Sequence, residues 1–310
     1  MASVTVISIG AMGLGIAKVL QTQGHKVLTS LQGRSEATRR RAQSANITPL
    51  ENDATVISQS DYVLSILPPA DALSTAQRLV SAYASDPSLR AGKSHPLYYL
   101  DLNAISPHTA RSIASIFNKE APDIVFIDGG IIGNPPTPPA DGSLVDANVW
   151  KRPSIPLSGP PLTSAPVHGD SLAMALNTTY LGDAIGTAST LKLTFATLTK
   201  GFTALALQSY TTASRAGVLP ELQRHLDDYV PGVRDRAERG IVGCTSKAGR
   251  WVGEMEEIGK AHAEEGGWGD RARVFGEIAR VFEGVSEVDG AGGLKSAEEV
   301  AVALGQVLKE

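Results

Sequence analysis

Between Asp183 and Lys200 the chain carries one charged side chain, Lys192, among alanines, threonines, leucines and other uncharged residues. On a helix Lys192 shares a face with Ala188, Phe195, Ala196 and Thr199. An ammonium buried on such a face is costly unless it is paired or gives up its proton. Its pKa can then fall into the range useful for acid–base work. A lysine that lays its stem along the helix and keeps its head in water fits the same pattern. The residues alone leave both readings open. Lys200 is a second candidate two turns on, but Gly201 beside it points to an ordinary role.

The second stretch with chemistry in it is Val4–Ala17, VTVISIGAMGLGIA. A β-branched run, a glycine-bearing turn and a helical pattern follow one another, which is the context of a dinucleotide fingerprint. Ser8, Gly10 and Gly13 stand at the three glycine positions, with Ala11 and Met12 between the last two. Gly10 would let the backbone approach a pyrophosphate, Gly13 would let the helix pack closely on the strand, and the helix N-terminus would supply N–H groups. Ser8 replaces the glycine that usually makes the tight turn.

The end of the second strand selects the cofactor. An acid there would bind the ribose hydroxyls of NAD, but Thr29 to Ser35 contains none and the first acid is Glu36. Arg34 and Ser35 stand where a 2′-phosphate would lie, with Thr38 and Arg39 one turn on, so the spacing predicts NADP(H). Arg40 and Arg41 read as a solvated basic face.

These groups need a scaffold. Residues 4–180 alternate short apolar runs with polar helical stretches. Strands are expected at Val4–Ile9, Lys26–Leu31, Tyr62–Leu67, Leu97–Leu102 and Ile124–Asp128. A brief strand is expected at Val56–Ser58, and late ones at Ile155–Leu157 and Leu176–Tyr180. Such alternation predicts an α/β fold: a doubly wound, Rossmann-type parallel sheet with helices on both faces. Asn134–Pro139, with four prolines in NPPTPP, reads as a surface loop. Ala184–Ala216, free of proline, reads as one long helix. Further helical patterns run from Leu219 to Ile278, broken near Pro231 and Gly266-Gly267, and a last amphipathic segment covers Ser296–Lys309. The division expected is 1–181 for cofactor binding and 182–310 for an all-helical substrate and dimerisation domain.

Composition narrows the function. The chain has 310 residues, 42% hydrophobic and 19% charged, with net charge −4, which suits globular domains with ample core and argues against general nucleic-acid binding. No apolar run reaches the ~18 residues of a membrane span. Cys244 is the only cysteine, so no internal disulfide or cysteine zinc cluster is expected, and the cytoplasm is the default location. His25, His95, His108, His168, His225 and His262 show no metal-ligand spacing and read as ordinary, with no metal expected. Glu254, Glu256 and Glu257 are expected to face solvent, and Trp251 and Trp268 to pack.

The motif order Ser8-x-Gly10-x-Met12-Gly13, Gly33-Arg34-Ser35, Leu67-Pro68-Pro69 and Asp101-Leu102-Asn103-Ala104-Ile105-Ser106-Pro107 resembles the β-hydroxyacid dehydrogenases. These are relatives of 3-hydroxyisobutyrate and 6-phosphogluconate dehydrogenases, in a superfamily that includes imine reductases. Arg250–Glu257, RWVGEMEE, is similar to a helical C-terminal domain on a poorly characterised branch of it. The resemblance implies that Leu67 and Pro68 line the nicotinamide end of the cofactor. It puts Asn103, where the family has serine, beside nicotinamide and substrate. Asp128–Asn134 resembles the stretch that offers a serine and glycines to a substrate carboxylate. Here Ile132 replaces the serine, next to Gly133, and Asn134 replaces the last glycine, which favours an apolar or ketone-like group. Gly186–Lys192 resembles the approach to the catalytic lysine. Phe195 and Ala196 stand where the family's substrate-holding asparagine would be.

The resemblance thus implies an NADPH-dependent oxidoreductase. It moves a hydride between nicotinamide and the carbonyl or hydroxyl carbon of a small organic substrate, with Lys192 as general acid–base, in a homodimer joined through the helical domains. Imine reduction on the same scaffold is the alternative, although imine reductases usually lack the lysine. A non-catalytic NADPH-binding sensor is another.

Overall fold

The computed structural model describes residues 1–139 and 149–308. They divide into two compact units, Met1–Lys192 and Leu193–Glu310.

In the first unit the elements run β1 (Ser3–Ile7), α1 (Ala11–Thr22), β2 (Lys26–Ser30), α2 (Glu36–Ser44), β3 (Thr48–Leu50), α3 (Asp53–Gln59), β4 (Tyr62–Ser65), α4 (Pro69–Ser85), β5 (Leu97–Asp101), α5 (Pro107–Glu120), β6 (Ile124–Gly129), β7 (Ile155–Ser158), α6 (Gly169–Leu176) and β8 (Thr178–Tyr180). The sheet has eight strands in the order β3-β2-β1-β4-β5-β6-β7-β8. Every pairing is parallel except β6 with β7. This is the doubly wound order, whose direction reverses between β1 and β4. The crevice beyond the carboxyl ends of those strands is where such sheets bind ligands.

Alternation along the strands builds two cores. Val4, Val6, Leu64 and Leu100 face α1 and α6, whereas Ile7, Leu28, Val63 and Tyr99 face α3, α4 and α5. Tyr99 packs against Phe117 and Phe126 at 4.8 and 6.1 Å between ring centres. Two local expectations are corrected. Val56–Ser58 is not a strand but the middle of α3, because Asn52 caps that helix in a reciprocal box with Thr55. Leu176 closes α6, and the strand begins only at Thr178, after Asn177 takes a left-handed conformation.

α7 (Thr187–Arg215) begins in the first unit. The rest of the second unit is helical: α8 (Leu219–Tyr229), α9 (Val233–Cys244), α10 (Ala248–Glu264), α11 (Val274–Ser286) and α12 (Ala297–Val307). The breaks fall beside Pro231 and Gly266-Gly267 as expected, and Lys309, the end of the expected last segment, lies outside the described residues. Two expectations about surfaces are corrected here. Glu254 and Glu257 are buried, with 7% and 8% of their surface exposed, whereas Glu256 is exposed. Trp268 is more than half exposed instead of packed. Trp251 does pack, edge-on to Phe282.

Candidate active site

The carboxyl ends of β1, β4, β5 and β6 carry the residues singled out from the sequence. After β1, Ser8 takes φ +78°, the left-handed turn that a first glycine would make without strain. A β-carbon on Gly13 would collide with the Ser8 carbonyl, so this position must be glycine. A β-carbon on Gly10 would meet nothing within 4 Å. No packing among the described residues demands glycine there, and the open space leaves room for a ligand to come close. Ala11, Met12 and Gly13 form the first turn of α1, which has no side-chain cap and no acidic residue. Their N–H groups have no carbonyl of the helix to bond and suit an anion. The residues present therefore fit the pyrophosphate of a dinucleotide. Gly15 has a different duty, since its missing side chain admits Pro136 of the proline-rich loop.

At the end of β2, Arg34 is half-buried and Ser35 is exposed. The Ser35 hydroxyl caps α2 by accepting from the Thr38 N–H at 3.3 Å. Arg40 pairs with Glu36 at the surface. Arg41 is not on a solvated face as expected: its Nε donates to the Ile9 carbonyl at 2.8 Å and its Nη2 to Thr38 Oγ1 at 2.9 Å.

After β4, Leu67 is buried and Pro68 exposed. Asn103, after β5, is 2% exposed. Its Oδ1 accepts from the Leu67 N–H, its Nδ2 donates to Ser65 Oγ at 2.9 Å, and its own N–H reaches Asp101 Oδ1 at 3.0 Å. Asn103 therefore fastens the β4 loop to the end of β5. The other carboxylate oxygen of Asp101 is buried without a partner among the described residues. Burial pushes this carboxyl up to about 7. Between its ordinary value of 3.8 and about 7 the unfolded chain binds fewer protons here than the folded one, so stability falls as pH rises through that window. Asp101→Asn should remove a slope of up to about 1.4 kcal/mol per pH unit. Urea midpoints of both proteins from pH 4 to 8 measure it, and parallel profiles would count against the assignment.

The end of β6 carries the arrangement that sequence reasoning missed. Asp128 Oδ2 accepts from Ser158 Oγ at 2.9 Å, the Gly186 N–H at 2.9 Å and the Ser189 N–H at 3.2 Å, and its Oδ1 accepts from Ser189 Oγ at 2.6 Å. Ser158 Oγ also accepts from the Ala188 N–H at 3.1 Å. The first turn of α7 is thus capped by a carboxylate and a hydroxyl from the sheet, which satisfies its open N–H groups and meets its positive end. Burial pushes the Asp128 carboxyl upward, and these donors oppose that. The only sequence signal was an acid closing the apolar run Ile124–Ile127 ahead of Gly129-Gly130.

Lys192 lies one turn beyond this cap and is half-buried. A β-carbon on Gly130 would stand 2.7 Å from Lys192 Cβ and 3.0 Å from its Cγ, so the lysine stem rests on the Gly130 backbone. Ile132 forms a paired bridge with Ser154 at 2.9 Å in both directions, and Gly133 is exposed with φ +129°. The first unit thus gathers Ser8 to Gly13, Leu67, Pro68, Asn103, Ile132, Gly133 and Lys192 at the carboxyl ends of consecutive strands. Phe195 and Ala196 belong to the second unit, where Phe195 is exposed and Ala196 buried. Lys200, also in that unit, is paired with Glu254. Among the described residues no group of three His, Cys, Asp or Glu could hold a metal, and no helix is long and apolar enough to cross a membrane.

Residues 3–89 match the sequence model of the family described as NADP oxidoreductase coenzyme F420-dependent, and residues 213–285 match a domain of unknown function, DUF1932. An uncharacterised 28.5 kDa protein of Methanothermus fervidus is 25% identical over 258 residues, covering 81% of this chain and 89% of that protein. The structure of Mycobacterium tuberculosis 3-hydroxyisobutyrate dehydrogenase with L-serine superposes with a TM-score of 0.65 at 13% identity, over 98% of this chain and 99% of that one. Reductive aminase from Aspergillus terreus, solved with NADPH and ethyl levulinate, gives 0.53 at 20% identity over 99% of both chains. The chain thus shares the fold of the 3-hydroxyisobutyrate dehydrogenases and reductive aminases, a doubly wound sheet followed by helices, and carries a C-terminal segment of the DUF1932 type.

Proposed function

We propose that the protein is an NAD(P)-dependent oxidoreductase that prefers NADPH. In this reading it moves a hydride between nicotinamide and the carbonyl or hydroxyl carbon of a small organic substrate. The observation that carries the reading is Lys192, its stem against Gly130 at the end of β6 and its helix capped by Asp128.

When bound, the cofactor supplies or accepts the hydride. The chain does the rest. Ala11, Met12 and Gly13 offer N–H groups to the pyrophosphate, and Arg34 and Ser35 meet the 2′-phosphate. Leu67 and Pro68 line the nicotinamide end, and Asn103 holds Leu67 in place. Lys192 Nζ gives a proton to the substrate oxygen in reduction and takes it back in oxidation. Ile132 and Gly133 form the first unit's part of the substrate side, where Ile132 favours an apolar or ketone-like group over a carboxylate. Oxidation of NADPH against a panel of aldehydes, ketones, keto acids and cyclic imines tests the reading. Tight NADPH binding with no turnover on any of them would favour a sensor instead. Ile132 and the Aspergillus reductive aminase likeness support imine reduction as the second reading, and Lys192 argues against it.

The NADPH preference rests on Arg34, at the end of a strand without an acid. Arg34→Ala should weaken NADPH by roughly 1.5–3 kcal/mol, the scale of a charge-assisted bond, and leave NADH nearly unchanged. Fluorescence titration of both nucleotides checks this, and equal affinity of the unmodified protein for the two would refute it.

A homodimer is part of the proposal. Phe195, Leu198 and Leu205 are 46%, 71% and 60% exposed on α7, at spacings of three and seven that place them along one helical seam. Light scattering at micromolar concentration should give the dimer mass, and a monomer mass would count against it. A cytoplasmic location is proposed as well, because the single cysteine, Cys244, leaves no internal disulfide to require an oxidising compartment.

A further inference from the structure

We propose that Arg41 is the fixed half of a two-guanidinium clamp on the cofactor's 2′-phosphate, with Arg34 as the adjustable half. The proposal rests on the NADPH reading above and adds a specificity residue to it.

Arg41 projects from the second turn of α2, the helix that follows β2. Its Nε donates to the carbonyl of Ile9, the residue before Gly10, at 2.8 Å, and its Nη2 donates to Thr38 Oγ1 at 2.9 Å. Since β1 and β2 are parallel neighbours, the loops that leave them lie side by side, and this guanidinium ties α2, which follows the second loop, to the first. A guanidinium has five N–H donors. Among the described residues, the two bonds leave both donors of Nη1 and one of Nη2 without an acceptor.

The charges point the same way. Among the described residues neither Arg41 nor Arg34 has a carboxylate partner, and Glu36, the acid beside them in sequence, is taken by Arg40 at 3.4 Å. Arg39 spends one donor on the Leu31 carbonyl at 3.0 Å and likewise has no acid. A chain of net charge −4 that leaves cations unpaired at a strand end has a place for an anion there. Arg41 and Arg34 are both half-buried, and a partly desolvated cation gains most from a counterion. The Ser35 hydroxyl, already capping α2, is less available to serve alone. A phosphomonoester fits this set of donors because several can bond it at once. Two fixed protein acceptors pre-orient Arg41, so little side-chain freedom remains to be lost on binding.

Because Arg41 also holds the Ile9 carbonyl, it could act only by shaping the pyrophosphate loop. The ratio of NADH to NADPH dissociation constants separates the two roles. Loop shaping affects both nucleotides alike, whereas a clamp affects NADPH alone. Fluorescence titrations should show the ratio falling at least tenfold in Arg41→Met. Arg41→Lys, which keeps the charge but not both anchors, should lower it at least threefold. Arg40→Ala should leave it within twofold. A ratio unchanged in Arg41→Met overturns the proposal, whether or not both affinities fall together. If Arg41→Met does not fold, Arg41→Lys decides, and an unchanged ratio there is equally fatal. The parent reading fails differently. An unmodified protein that binds neither nucleotide overturns cofactor binding, and one that binds both equally overturns the NADPH preference. A preference that survives Arg41→Met but disappears in Arg34→Ala overturns the clamp alone.

Discussion

Lys192→Met should lower turnover by ~10²–10⁴, the usual contribution of a positioned acid or base, while NADPH affinity stays within a few-fold. The substitution keeps the length of the stem, so the packing against Gly130 survives, and it removes only the ammonium. The groups proposed for the cofactor's phosphates lie elsewhere, on the first turn of α1 and at and just before α2, which is why binding and turnover should separate. Steady-state kinetics on the best substrate of the panel, with a parallel NADPH titration, measure both. Turnover within a few-fold of the unmodified protein would mean that the proton comes from another group. Loss of cofactor binding together with turnover would make Lys192 structural.

Lys200→Met should destabilise the protein by about 3–5 kcal/mol, the cost of leaving one charge of a buried pair without its partner. Lys200 donates to Glu254, and each side chain is only 10% exposed. The ammonium also sits over the Trp251 ring, 5.1 Å from its centre, and burial lowers its pKa. Arg250, largely exposed, approaches the other Glu254 oxygen at 3.3 Å and cannot replace a buried cation. The double variant Lys200→Met with Glu254→Leu should recover most of the loss, because two apolar groups of similar size leave no buried charge behind. Urea unfolding of the single and double variants tests this. A single-variant loss below about 1 kcal/mol, or no recovery in the double, would mean that the pair holds α7 to α10 only weakly.

Much of the sheet was legible from local pattern, because a strand in a doubly wound fold is a short apolar run and its neighbours are punctuated by glycine and polar turns. Val4, Val6 and Ile7 could be assigned without knowing their partners. Val56–Ser58 could not, because β-branched residues suit a strand and a short helix alike, and only the Asn52–Thr55 cap decided between them. Gly13 declared itself by spacing, whereas the purpose of Gly130 appears only once Lys192 lies across it.

The sequence by itself determined the chemical inventory: a glycine turn ahead of a helix, an arginine in place of an acid after the second strand, and a lone lysine in an uncharged stretch. Each is a statement about neighbours within a few residues, which periodicity and side-chain chemistry can read. The tertiary structure alone decided what holds these groups. Asp128 meets Gly186 and Ser189 across 58 and 61 residues of chain, Arg41 reaches back 32 residues to Ile9, and Glu254 is buried against Lys200 54 residues away. Arg41 and Glu254 had been expected in solvent, the usual place for a charge on an amphipathic helix. What overrode that expectation was a partner supplied by folding. A charge can leave water only where another element brings it an acceptor or a counterion, and such long-range meetings leave no local signature in the sequence.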